Sequence, residues 1–222
     1  MNISEKKFFC SWSGGKDSCL AYYYALEEGA IPEALVTTLI ESGERTRAHG
    51  LNREVLRKQA NSLGTSLFTT STSWEDYEDN YIALLRELRN KSTEIEMGVF
   101  GDIELEEHRE WVEKVCRAVD LNAHLPLWQR SRRELVCEFI ESGFEALVVA
   151  VDAEELDEEF LGRPLDMAFI AELERKELDP SGENGEYHTL VVDGPIFSEP
   201  VPYELGDRYK KNGSWYQDVH SD

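Results

Sequence analysis

Near the start of the chain, Ser13-Gly14-Gly15-Lys16-Asp17-Ser18 gathers the residue types that handle phosphate. Adjacent glycines let a backbone close around anionic oxygens, Lys16 supplies a point charge, Ser13 and Ser18 supply hydroxyl donors, and Asp17 can hold a magnesium ion that bridges phosphates. The segment follows the apolar run Lys7 to Trp12 and precedes a helical pattern of Leu20, Tyr23, Tyr24 and Ala25 that ends before Gly29. It therefore falls where a strand hands over to a helix, and there the unpaired N–H groups and the helix dipole favour an anion. A Walker loop is excluded, because that motif runs Gly-x-x-x-x-Gly-Lys-Ser/Thr and Lys16 is followed by Asp17.

The elements that must position this loop alternate. Ala34 to Ile40 predicts a second strand, Leu51, Val55, Leu56 and Leu63 a helix, and Leu67 to Thr70 a third strand. A helix through Tyr77, Tyr81, Leu84, Leu85 and Leu88, a strand at 98–100 and a helix over about 104–119 follow. This order implies an α/β fold: a parallel sheet with helices on both faces. Beyond residue 122 the pattern loosens. Ser131 to Glu134 reads as a capping box, Ala146 to Val151 as a buried strand, 166–176 as a helix, Thr189 to Val192 as a strand, and Asn212-Gly213 as the turn of a hairpin. We read residues 1–122 as an N-terminal domain that carries the glycine loop and 123–222 as a smaller C-terminal α+β domain.

Composition narrows the partners. With 45 Asp and Glu against 23 Lys and Arg, the chain carries a formal charge of −22, so it is not expected to bind nucleic acid, whose backbone is held by lysines and arginines that replace counterions. The N-terminus lacks the apolar core of a signal peptide and no apolar run approaches membrane-spanning length, which predicts a cytoplasmic protein without a membrane partner. The four cysteines form no Cys-x-x-Cys pair and are read as reduced thiols. Cys19 is read as part of a helix core and not as a sulfur carrier. The acidic run 154–159 is read as a solvated face.

Five segments, in order, carry a family resemblance: Ser13 to Ser18; Arg47-Ala48-His49-Gly50 with Asn52; Gly101-Asp102-Ile103; Pro126-Leu127-Trp128; and Asp179-Pro180-Ser181-Gly182-Glu183-Asn184-Gly185-Glu186-Tyr187-His188-Thr189 with Val192-Asp193-Gly194-Pro195. The first resembles the loop of the N-type ATP pyrophosphatases (PP-loop proteins), whose fold is the Rossmann-like adenine nucleotide alpha hydrolase type. The last resembles the C-terminal signature of their diphthine ammonia ligase (diphthamide synthase) subgroup. The resemblance implies an ATP-dependent amide ligase using ATP and Mg2+. A carboxylate of a modified histidine on elongation factor two would be adenylated, pyrophosphate released, and AMP displaced by ammonia supplied as ammonium. Ser13, Gly14, Gly15, Lys16, Asp17, Ser18, His49, Gly101 and Asp102 would bind ATP, with Asp17 on the metal. Glu183, Asn184, Gly185, Glu186, Tyr187, His188 and Thr189 would bind the acceptor, and Lys16, Asp17 and Glu186 would be catalytic.

The residues support this on their own terms. Glycines 182 and 185 let a backbone approach a ligand, and Glu183 and Glu186 can bind a cationic acceptor, orient ammonium or take a proton from it. His49, placed after the second strand, and Asp102, after the strand at 98–100, fall at the carboxyl edge where open α/β sheets bind ligands. The ligases commonly read Glu-Gly-Gly-Glu-Tyr-Glu-Thr where this chain has Asn184 and His188, so a small-molecule acceptor stays open. A non-catalytic ATP-binding regulatory module and a homodimer also stay open. Arg130, Arg132 and Arg133 are read as helix-end charges, with contact to phosphate or a partner as the alternative.

Overall fold

The computed structural model describes residues 2–221. In chain order the elements are β1 (Lys7–Ser11), α1 (Lys16–Glu27), β2 (Ile31–Leu39), α2 (Arg53–Ser62), β3 (Ser66–Ser71), α3 (Tyr77–Lys91), β4 (Ile95–Val99), α4 (Glu106–Arg117), β5 (Asn122–His124), α5 (Arg132–Glu141), β6 (Glu145–Asp152), α6 (Met167–Arg175), β7 (Tyr187–Asp193), β8 (Glu204–Lys211) and β9 (Ser214–His220). They gather into two compact units. Among the described residues one comprises 2–13, 17–45 and 64–129, and the other 14–16, 46–63 and 130–221.

The first unit holds a five-stranded, all-parallel sheet in the order β3-β2-β1-β4-β5, a Rossmann-like arrangement as the alternation predicts. Its apolar strand residues, Phe9, Ala34, Val36 and Ile95, share one buried cluster with Leu84, Leu85 and Leu88 of α3 and Val112 and Val115 of α4. Those helix residues recur every three or four positions, so each helix buries a single stripe. One strand escapes the sequence pattern: β5 is only Asn-Ala-His, yet it pairs in parallel register with Met97 to Val99.

The second unit holds a separate antiparallel sheet in the order β7-β6-β9-β8. Its central strand β6 is buried from Ala146 to Val151. On β7, Tyr187 packs edge-on against Phe169 of α6, at 5.1 Å between ring centroids. Ser131 caps α5 by accepting from the Glu134 N–H, as its spacing predicts. The β8–β9 hairpin turns on Asn212 (φ 51°) and Gly213 (φ 88°), the left-handed pair that such a two-residue turn requires. Residues 154, 155 and 157–159 of the acidic run are exposed.

Candidate active site

In the first unit, strand order reverses at β1: β2 and β3 lie to one side, β4 and β5 to the other. The loops leaving β1 and β4 therefore diverge at a topological switch point, where open α/β sheets bind ligands. The loop leaving β1 is the Ser13–Ser18 segment. Its ends are tied together, with the Ser13 N–H donating to Ser18 Oγ at 3.3 Å and the two hydroxyls 3.0 Å apart. Gly101, after β4, lies so close that a Cβ there would stand 2.7 Å from the Asp17 carbonyl carbon. A side chain at 101 would push the first turn of α1 out of place. Asp102 accepts a hydrogen bond from the exposed His108, Nδ1 to Oδ1 at 3.1 Å, and does not cap α4, whose N-cap is Leu105. Burial raises the Cys19 thiol well above its ordinary range, helped by Cys10 and Asp17, so it stays protonated and inert.

In the second unit, residues 14–16 of the same loop are held by β7. This strand is the edge of its sheet, so one side of its backbone needs partners from elsewhere. The Val191 N–H donates to Gly14 O at 2.9 Å, and the Lys16 N–H donates to Thr189 Oγ1 at 3.1 Å. Gln59, fully buried on α2, donates through Nε2 to both Gly14 O and Val191 O, at 2.9 and 2.7 Å. His49 closes the other side, its Nδ1 lying 2.8 Å from Thr189 O. Because a carbonyl only accepts, Nδ1 carries the hydrogen, and in the neutral ring Nε2 keeps the lone pair. Gly15 fits against this ring: a Cβ would meet His49 Cε1 at 2.4 Å and Thr189 O at 3.0 Å.

The His49 ring also lies against His188, with centroids 4.8 Å apart. Desolvation pushes His188 down to about 3, and its electrostatic interaction with His49 and with the Lys16 ammonium adds to the shift. His188 is therefore a neutral imidazole at any working pH. Lys16 is buried, its Nζ 3.8 Å from Glu183 Oε1 and 5.7 Å above the Tyr187 ring.

Two carboxylates shape the turn that carries Glu183. Asp179 accepts from the Ser181 N–H and Oγ and from the Glu183 N–H, and Arg132 Nη1 grips it at 2.5 Å while also reaching Asn184 Oδ1 at 3.0 Å. Glu186, 5% exposed, accepts from the Asp179 and Asn184 N–H groups and from Asn184 Nδ2. Gly182 and Gly185 take φ of 73° and 96°, which is what this turn asks of them. Arg130 and Arg133 pair with Glu138 and Glu174, so with Arg132 the basic cluster is spent on intramolecular ion pairs.

Of the residues singled out from sequence, the second unit brings together Gly14, Gly15, Lys16, His49, Glu183, Tyr187, His188 and Thr189. The first joins Ser13 with Ser18 and Gly101 with Asp17. Asn184, Gly185 and Glu186 build the turn, and Asp102 is engaged with His108. Gln59 and Arg132 complete the arrangement. Gln59 had a sequence signal, an amide four residues after Val55 on the apolar face of a helix. Among the described residues, no three His, Cys, Asp or Glu side chains converge to hold a metal ion, and no helix is long and apolar enough to cross a membrane.

Two family models match: the diphthamide synthase N-terminal domain over residues 6–123 and the diphthamide synthase C-terminal domain over 131–219. The chain belongs to the diphthamide synthase family. Among curated relatives, a rat protein named diphthine–ammonia ligase is 32% identical over 88% of this chain and 82% of its own length. A bovine protein of that name is 34% identical over 63% of this chain and 53% of its own length. One from Schizosaccharomyces pombe is 30% identical over 85% of this chain but only 34% of its own length, so the family contains considerably longer chains.

Proposed function

We propose that the protein is an ATP-dependent diphthine–ammonia ligase, acting on a modified histidine of elongation factor two. The observation that carries this reading is the hold on Lys16: a buried ammonium at the first turn of α1, behind two glycines, gripped by the segment that resembles the ligase signature. An acceptor carboxylate oxygen attacks the α-phosphorus, the bond to the bridging oxygen breaks, and pyrophosphate leaves with the electron pair. Ammonium gives up a proton to become ammonia, which attacks the acyl carbon; the carbon–oxygen bond to AMP breaks, and a second proton passes to solvent as the amide forms.

In this scheme Ser13 to Ser18 hold the phosphates. Lys16 offsets charge as pyrophosphate departs, which lowers the barrier because that charge grows in the transition state. His49 and Gly101 keep the loop in shape. Glycines that leave no room for a Cβ, with backbone N–H groups at a helix start, are what a polyphosphate needs. Asp17 is the side chain we assign to Mg2+, and the ion, when bound, would supply charge neutralisation beside the phosphates. Glu183 is assigned to the reacting side, and Glu186 to holding the turn that presents it. Residues 1–122 are taken as the nucleotide-binding part and 123–222 as the part that completes the acceptor site. A small-molecule acceptor is the second reading, favoured by His188, which stands where the ligases commonly have an acid.

Purified protein with ATP, Mg2+ and ammonium, with and without diphthine-bearing elongation factor, tests the proposal. AMP and pyrophosphate are expected only with the factor, and not from Lys16→Ala. AMP formation indifferent to the factor would move the search to another acceptor. ADP, or tight ATP binding without turnover, would refute the ligase.

A further inference from the structure

We propose that Glu183 and Tyr187 form the ammonium subsite, and that Lys16 occupies it until nucleotide draws the lysine away. This rests on the ligase reading and supplies the place of its nitrogen donor. The side chain of Lys16 is 7% exposed and that of Glu183 22%, so their charges meet largely away from water. A buried ammonium needs an anionic partner, and the face of an aromatic ring adds further attraction. The ζ-ammonium of Lys16 has both, with Glu183 Oε1 at 3.8 Å and the Tyr187 ring at 5.7 Å. Free ammonium carries the same charge on the same atom and fits the same surroundings.

The two partners are held independently of Lys16. The Glu183 N–H donates to Asp179 Oδ2, which Arg132 clamps, and the Tyr187 hydroxyl donates to Pro180 O at 2.7 Å. Lys16 instead sits on a flexible four-carbon stem at the start of α1. When phosphate oxygens arrive at the glycine loop, the ammonium head swings to them while the carboxylate and the ring stay behind. The vacated place takes ammonium, beside the point where the acyl-adenylate forms. Nucleotide therefore binds first, and ammonium affinity rises with nucleotide occupancy. By linkage, ammonium tightens nucleotide in return.

Binding of 15N-ammonium followed by NMR tests this without turnover. Wild-type protein is expected to bind it only with a non-hydrolysable ATP analogue, Lys16→Ala to bind it without nucleotide, and Glu183→Gln to lose it in either condition. In steady-state assays the KM for ammonium should fall as ATP rises, and Glu183→Gln should raise it about tenfold or more, the scale of one charge-assisted contact. Binding indifferent to nucleotide, to Lys16 and to Glu183 would overturn the subsite even if AMP is formed. Nucleotide-dependent binding in a protein that never makes AMP would support the subsite and remove the ligase reading.

Discussion

Replacing Gly15 with alanine tests whether the glycine loop and the C-terminal strand β7 work as one assembly. The added Cβ would stand 2.4 Å from His49 Cε1 and 3.0 Å from Thr189 O. Carbon atoms pack at about 3.5–4.0 Å, so the ring must retreat by roughly 1.1–1.6 Å. Such a shift takes the 2.8 Å bond from His49 Nδ1 to Thr189 O past the limit of a hydrogen bond. Losing that bond costs about 1 kcal/mol and the overpacking about 1–3 kcal/mol, together about 2–4 kcal/mol. For a chain of this size each kcal/mol lowers the melting temperature by about 2–4 °C. Turnover should fall by about 100-fold, as expected when reacting groups are displaced by about 1 Å. Scanning calorimetry and an AMP-release assay read the two effects. His49→Ala removes the ring that clashes, so Gly15→Ala in that background should cost much less, and the difference is their coupling. An unchanged melting temperature with turnover within twofold of wild type would refute the reasoning.

Three further perturbations follow from the same contacts. Gln59→Leu removes the buried side-chain donor to the Val191 carbonyl, while the Gly14 carbonyl still accepts from the Val191 N–H, and should cost about 1–3 kcal/mol, read by urea denaturation. His188 stays neutral in the folded protein down to about pH 3, whereas in the unfolded chain it takes a proton below about 6.5. The unfolded state thus binds more protons, and this residue makes stability fall from about pH 6.5 toward pH 3, by up to about 1.4 kcal/mol per pH unit. His188→Gln should flatten that part of the profile, and an unaltered slope in urea midpoints between pH 7 and 4.5 would show that the residue does not titrate this way. Asp17→Asn should abolish turnover while leaving the melting temperature close to wild type, because Asp17 lies outside the apolar core; activity kept at wild-type level would remove it from the phosphate site.

Local pattern made most of the parallel sheet and its helices legible, because their apolar residues recur at strand or helix spacing and α1 and α2 are followed by Gly29 and Gly64. β5 was not, since three residues without an apolar run become a strand only through pairing with β4. The glycine loop could be singled out because its residue types stand together in six consecutive positions after a strand. What holds it could not, because the partners of Gly14 and Lys16 lie some 170 positions away on β7, and no periodicity links such distant residues. The same limit applies to Glu186 and Asp179. Their charge is visible in the sequence, but their oxygens are directed to backbone N–H groups of their own turn, which appear only once that turn has folded.

The most direct test of acyl-adenylate chemistry follows the acceptor oxygen. Diphthine-bearing elongation factor labelled with 18O in its carboxylate would be incubated with the protein, ATP, Mg2+ and ammonium, and the products analysed by mass spectrometry. One 18O transferred into each AMP is expected, since the acceptor oxygen that attacks the α-phosphorus leaves with the nucleotide. Label found in ADP or inorganic phosphate, or amide formed while AMP stays unlabelled, would contradict adenylation of the acceptor.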